Sequence, residues 1–154
     1  MGAPSALFQK ILVPLDYSPG SSLAIRFAAN LSVRYQATVT LVNVYQPVQS
    51  ALPAGVMLFT EAQLDQLRVE LERQLAEAKA EAEAAGALTV ETKLLEGIVV
   101  PEILALAREQ GHDLIVMGTH GRTGLKHAVM GSVAEKVVRL AQCPVLTVRM
   151  PDEG

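Results

Sequence analysis

The chain has 154 residues, half of them hydrophobic, with a net charge of −3 and a single cysteine, Cys143. That is the length of one domain with a substantial core, so a single domain over 1–154 is expected and disorder is not. The acidic balance without a basic block argues against nucleic acid or an acidic membrane surface as partner. One cysteine also rules out an intrachain disulfide and fits a reducing compartment.

The opening residues, Met1 to Ala6, show no positive region followed by an apolar segment, so no secretion signal is expected. No apolar run approaches the roughly 20 residues of a membrane span. A cytoplasmic location is the expectation.

Phe8 to Leu15 reads as a buried strand, apolar and bounded by a turn-rich segment. Ser18 followed by Pro19 is a helix start, a capping residue before a proline at the first helical position. Leu23, Ala24, Phe27, Ala28 and Leu31 recur at helical spacing to about Tyr35. Ala37 to Val44 is a second strand, rich in β-branched residues. The segment from Tyr45 to Phe59 carries Pro47, Pro53 and Gly55 without a period, and reads as a long loop.

Thr60 with Gln63 makes a capping box. Leu64, Leu67, Leu71, Leu75, Ala78, Ala82 and Ala85 then form one face of a long helix that stops at Gly86. Its other face, with Glu70, Arg73, Glu77 and Glu81, reads as solvated. Leu88 to Leu95 is a third strand. A helix opened near Pro101 turns Ile103, Leu106 and Ala107 inward and ends at Gly111. Asp113 to Met117 is the fourth strand. Ser132 with Glu135 reads as a second capping box, and Val133, Val137 and Leu140 carry that helix to about Gln142. Val145 to Met150 is the last strand.

Strands alternating with helices imply an α/β fold: a mainly parallel five-stranded sheet with helices on both faces. Right-handed crossovers limit the topology. The order 3-2-1-4-5 sets the ends of the first and fourth strands side by side, at the switch point where such sheets bind ligands. The two most turn-rich loops, Asp16 to Ser22 and Gly118 to Gly131, follow those strands.

Gly118, Gly121, Gly131 and Ser132 fit the spacing G-x2-G-x9-G-S between a strand and a helix. Such a loop suits phosphate. Backbone N–H groups converge, no Cβ blocks close approach, and the helix dipole favours negative charge. Each residue also has a plainer role. Gly118 and Gly121 suit a simple strand-to-loop turn, Ser132 suits a cap, and Asp16 suits an ordinary turn. Arg122 and Lys126 serve phosphate or face solvent. A zinc site is poorly supported by three histidines without a nearby cysteine. A hydrolase triad of Asp16, Ser18 and His120 lacks the G-x-S-x-G elbow. There is no Walker A sequence. Six aromatics without Trp leave little to stack on a flavin.

Four pieces together resemble the universal stress protein family, in its ATP-binding branch. They are Ile11 to Asp16 with Ser18, Val39 to Val44, Asp113 to Gly121, and Gly131 to Val133 followed by Cys143 to Val145. The resemblance runs from about Phe8 to Arg149 and leaves Tyr45 to Phe59 unmatched. It implies a Rossmann-like, adenine nucleotide alpha hydrolase-like fold and a bound ATP or other adenine nucleotide, with Mg²⁺ or Mn²⁺. Pro14, Asp16 and Val44 would line the adenosine, and Leu15 belongs to the same cofactor-binding set. Met117 and Gly118 would meet base and ribose. Gly121, Arg122, Gly131, Ser132 and Val133 would surround the phosphates. It also implies a homodimer, and the apolar last strand (Val145, Leu146, Val148) is the expected interface, because a bare apolar edge invites pairing. A dimeric stress-response regulator with slow or no hydrolysis follows. The alternatives are a nucleotide hydrolase or nucleotidyl transferase, and a dimerisation module without nucleotide.

Overall fold

A computed structural model describes residues 7–47, 50–52, 55–57, 59–120 and 130–151. The chain order is β1 (Lys10–Pro14), α1 (Pro19–Tyr35), β2 (Thr38–Tyr45), β3 (Ser50–Leu52), β4 (Gly55–Met57) and α2 (Glu61–Ala84). Then come β5 (Val90–Glu96), α3 (Val99–Glu109), β6 (Leu114–Gly118), α4 (Ser132–Leu140) and β7 (Val145–Val148).

Five strands form one parallel sheet in the order β5-β2-β1-β6-β7, which is the expected 3-2-1-4-5. The strand alternation splits the core into two halves. Ile11 and Val13 face the half built with Ala24, Ala28, Leu75 and Ala78 of α1 and α2. Leu12 faces the other half, with Ile103 of α3 and Val137 of α4. Central strands buried on both faces explain the continuous apolar runs of β1 and β6. Edge strand β5 is more exposed, and Leu88, read as strand, lies before it at 82% exposure.

Local chemistry sets the helix starts. Ser18 caps α1 by accepting from the Ser21 N–H, with Pro19 in the first turn. Thr60 and Gln63 close their capping box through bonds of 3.2 and 2.9 Å. Gly86, at φ +107°, follows α2 in a conformation that side chains avoid. Phe27 departs from the reading. The buried stripe of α1 runs through Ala24, Ile25, Ala28 and Ala29, which leaves Phe27 on its flank, 46% exposed.

Two further readings are corrected. The segment from Tyr45 to Phe59 is not wholly loop. It contains β3 and β4, paired antiparallel from Ser50–Met57 to Leu52–Gly55. Strands of three residues are too short to show an alternation. The second capping box is absent. Gly131, not Ser132, is the N-cap of α4, no side chain caps the helix, and Glu135 pairs with Arg139 at 3.5 Å. The Gly131 N–H is tied to the Thr119 carbonyl at 2.7 Å, which starts the helix one residue earlier than expected.

Candidate nucleotide site

A cavity of about 470 Å³ opens at the C-terminal ends of β1, β2 and β6. That is ample for a small cofactor. Pro14, Leu15, Asp16 and Val44 line it from β1 and β2, Met117 and Gly118 from β6, and Gly131, Ser132 and Val133 from the start of α4. Gly121, Arg122 and Lys126 lie outside the described residues.

The loop after β1 is locked by Asp16. Its Oδ1 accepts from the Ser18 N–H at 3.0 Å and from the Ser21 hydroxyl at 2.7 Å. Ser21 Oγ in turn accepts from the Asp16 N–H at 3.0 Å. The loop therefore presents Asp16 at the cavity wall in a fixed orientation.

Gly118 has a role that spacing does not show. A Cβ there would lie 3.1 Å from the Gly20 carbonyl carbon, and a Cβ on Gly20 would lie 3.2 Å from the His120 carbonyl oxygen. The first turn of α1 thus packs backbone to backbone on the end of β6. Gly118 lines the cavity, yet its lack of a side chain is already required by the protein's own chain.

The start of α4 has the opposite character. Its N-cap is a glycine with no side-chain hydrogen bond, so the first amides of the helix have no side-chain cap. Gly131, Ser132, Val133 and Ala134 all line the cavity. Converging uncapped amides at a dipole's positive end suit an anion. Thr119 fixes this end: its N–H donates to the Val148 carbonyl at 3.0 Å, and its carbonyl holds Gly131. Its hydroxyl lies 2.9 Å from Nδ1 of His120, which also lines the cavity.

Sequence reasoning did not single out the far wall. Asn43, buried on β2, donates from Nδ2 to the Leu15 carbonyl at 2.9 Å and so holds the end of β1. Tyr17, Tyr45, Leu71 and Gln74 complete that side. Only the abnormal backbone at Tyr17, φ 62°, marks it, and that is invisible in the sequence. Among the described residues no three His, Cys, Asp or Glu side chains converge on a metal position, and Asp16 is the carboxylate of the cavity wall.

A profile of the Universal stress protein family matches residues 7–149. The chain belongs to the universal stress protein family. It is 38% identical over 146 residues to universal stress protein MJ0531 of Methanocaldococcus jannaschii, covering 94% of this chain and 84% of that one. The structure of MJ0577 from the same organism superposes with a TM-score of 0.81 at 28% identity, covering 96% of this chain and 99% of that one. An Archaeoglobus fulgidus universal stress protein, solved in complex with dAMP, shares the fold with a TM-score of 0.67. It is 24% identical, with 92% of this chain and 98% of that one covered. Among the described residues of this universal stress protein no helix is long and apolar enough to cross a membrane.

Proposed function

We propose that this universal stress protein holds ATP or another adenine nucleotide in the cavity and acts as a nucleotide-dependent regulator, with slow or no hydrolysis. One observation carries the reading: the uncapped start of α4 opens into a ligand-sized cavity at the sheet's switch point. The dAMP complex of a protein with this fold agrees with it. Phosphate would take the amides of Ser132 and Val133, with Gly121 and Arg122 beside them. Pro14, Leu15, Asp16 and Val44 would take the adenosine, with Met117 and Gly118 against base and ribose.

Mg²⁺ or Mn²⁺ fits this donor set. Magnesium binds through one or two carboxylates and substrate phosphates rather than through a protein cage, and Asp16 supplies the carboxylate. The ion would neutralise phosphate charge. The whole chain, 1–154, would act as one nucleotide-binding domain in the cytoplasm. A homodimer through the edge strand β7, with Val145, Leu146 and Val148, completes the proposal.

Thermal unfolding with and without saturating Mg-ATP, followed by circular dichroism, tests it. At about 100-fold over Kd, binding adds about 2.7 kcal/mol. For this size the midpoint rises by roughly 5–10 °C. No rise, in protein freed of prebound nucleotide, refutes the reading and favours a dimerisation module.

A further inference from the structure

The chain has three tyrosines, and two of them, Tyr17 and Tyr45, wall the same cavity. Tyr17 lies in the loop after β1, Tyr45 is the last residue of β2, and both reach α2. The Tyr17 hydroxyl donates to the Leu71 carbonyl at 3.4 Å. Arg68 Nε donates to the Tyr45 hydroxyl at 2.9 Å, and that hydroxyl donates to Glu96 Oε2 at 3.1 Å. Arg68 Nη2 closes the triangle at 3.4 Å from the same carboxylate oxygen. Arg68 and Leu71 sit three residues apart on one face of α2.

Tyr17, which packs on the α1 and α2 half of the core, and Tyr45 are held in different ways. Tyr17 sits at φ 62°, a left-handed conformation that bulky residues rarely adopt. Glycine would take that position without strain, yet the chain keeps a ring there. Tyr45, in turn, joins neither half of the core among the described residues. Its hydroxyl is fixed by two groups that are themselves half exposed, at 45% and 48%. Such an ion pair adds little stability. Its consequence is the orientation of the ring.

We propose that Tyr17 and Tyr45 form an aromatic wall that takes the flat face of the ligand's base, with Arg68 and Glu96 as positioning residues for the Tyr45 ring. The proposal rests on the nucleotide reading. Every base has a π-face, so the wall selects a planar heteroaromatic group and not adenine in particular.

The absence of Trp lets tyrosine emission report on the wall directly. The full chain is titrated with adenosine, AMP, ribose 5-phosphate and pyrophosphate. Adenosine and AMP change the emission, while ribose 5-phosphate and pyrophosphate do not. Tyr45→Ala weakens adenosine binding about tenfold, the scale of one base–aromatic stack, and leaves pyrophosphate unchanged. Tyr45→Phe keeps the ring and most of the affinity. Arg68→Ala weakens adenosine binding in the wild-type background and has no further effect beside Tyr45→Phe, because Phe has no hydroxyl to hold. A purely structural role for Arg68 would persist in both backgrounds.

Wild-type protein that binds nucleotide, with Tyr45→Ala binding adenosine equally well, overturns this proposal alone. Equal losses for adenosine and pyrophosphate also overturn it, since they report general damage. Wild-type protein that binds none of the four overturns the nucleotide reading with it.

Discussion

Gly118→Ala separates a glycine that serves the fold from one that serves a ligand. The added Cβ lies 3.1 Å from the Gly20 carbonyl carbon and 3.2 Å from its Cα and oxygen. All three are backbone atoms, so no rotamer change relieves the contact. Either the first turn of α1 or the end of β6 must move by a few tenths of an ångström. Both ends are held: Ser18 caps α1, and Thr119, next to Gly118, is bonded to β7 and to Gly131. Overpacking of this kind costs about 1–3 kcal/mol. For a chain of this size that lowers the thermal midpoint by roughly 2–12 °C. The assay is urea and thermal unfolding of ligand-free protein. Gly20→Ala, which meets the same interface at 3.2 Å from the His120 carbonyl oxygen, shows a loss of the same kind. A Gly118→Ala protein as stable as wild type without ligand, but weaker in ATP binding, refutes the packing argument.

The remaining predictions concern the start of α4 and the buried histidine. Gly131→Val leaves ligand-free stability within about 1 kcal/mol, because its φ of −60° admits a side chain, and it abolishes the Mg-ATP shift in thermal unfolding. Ser132→Ala changes ligand-free stability by less than about 0.5 kcal/mol in urea unfolding, because its hydroxyl does not cap the helix. His112 is buried, with Nε2 at 3.1 Å from the Thr40 hydroxyl, and burial first, then the charge of Lys10, pushes its pKa below the ordinary value. The unfolded chain then binds the extra proton, so stability is full above about pH 6.5 and falls as pH drops toward the folded-state value. Urea midpoints measured at about pH 7.5 and about pH 5.5 show this loss, and His112→Leu reduces it.

The sheet was legible because its strands are buried on both faces. Runs such as Ile11 to Val13 and Leu114 to Met117 leave few alternatives at that length. The order followed from chirality and from where the turn-rich loops fall. The hairpin of β3 and β4 was not legible, because three-residue strands around Pro53 and Gly55 show turn residues and no period. The start of α4 was misread for a different reason. The spacing of Ser132 and Glu135 suits a capping box, and it suits equally a helix that begins one residue earlier. A contact from outside the helix decides between them, the bond from Gly131 to Thr119.

The site divides along the same line. Its near wall comes from segments adjacent to the sheet's switch point, and motif spacing finds those. Its far wall adds Leu71 and Gln74 of α2 to Tyr17 and Tyr45, the chain neighbours of Asp16 and Val44, and the packing of α2 against α1 and β5 brings the helix to them. No local pattern encodes that meeting. The glycines show the limit most sharply. Gly118 and Gly131 stand in one motif and line one cavity, yet their backbones do not impose the same demand. At Gly118 the neighbour is the chain's own backbone at Gly20, already in place without ligand. At Gly131 the backbone, at φ −60°, is one that a side chain can adopt, and on the proposed nucleotide reading a side chain there would crowd the amides of α4. A spacing pattern records that both positions are glycine. At Gly118 the atom that a Cβ would strike belongs to the chain itself, and that alone accounts for the glycine there.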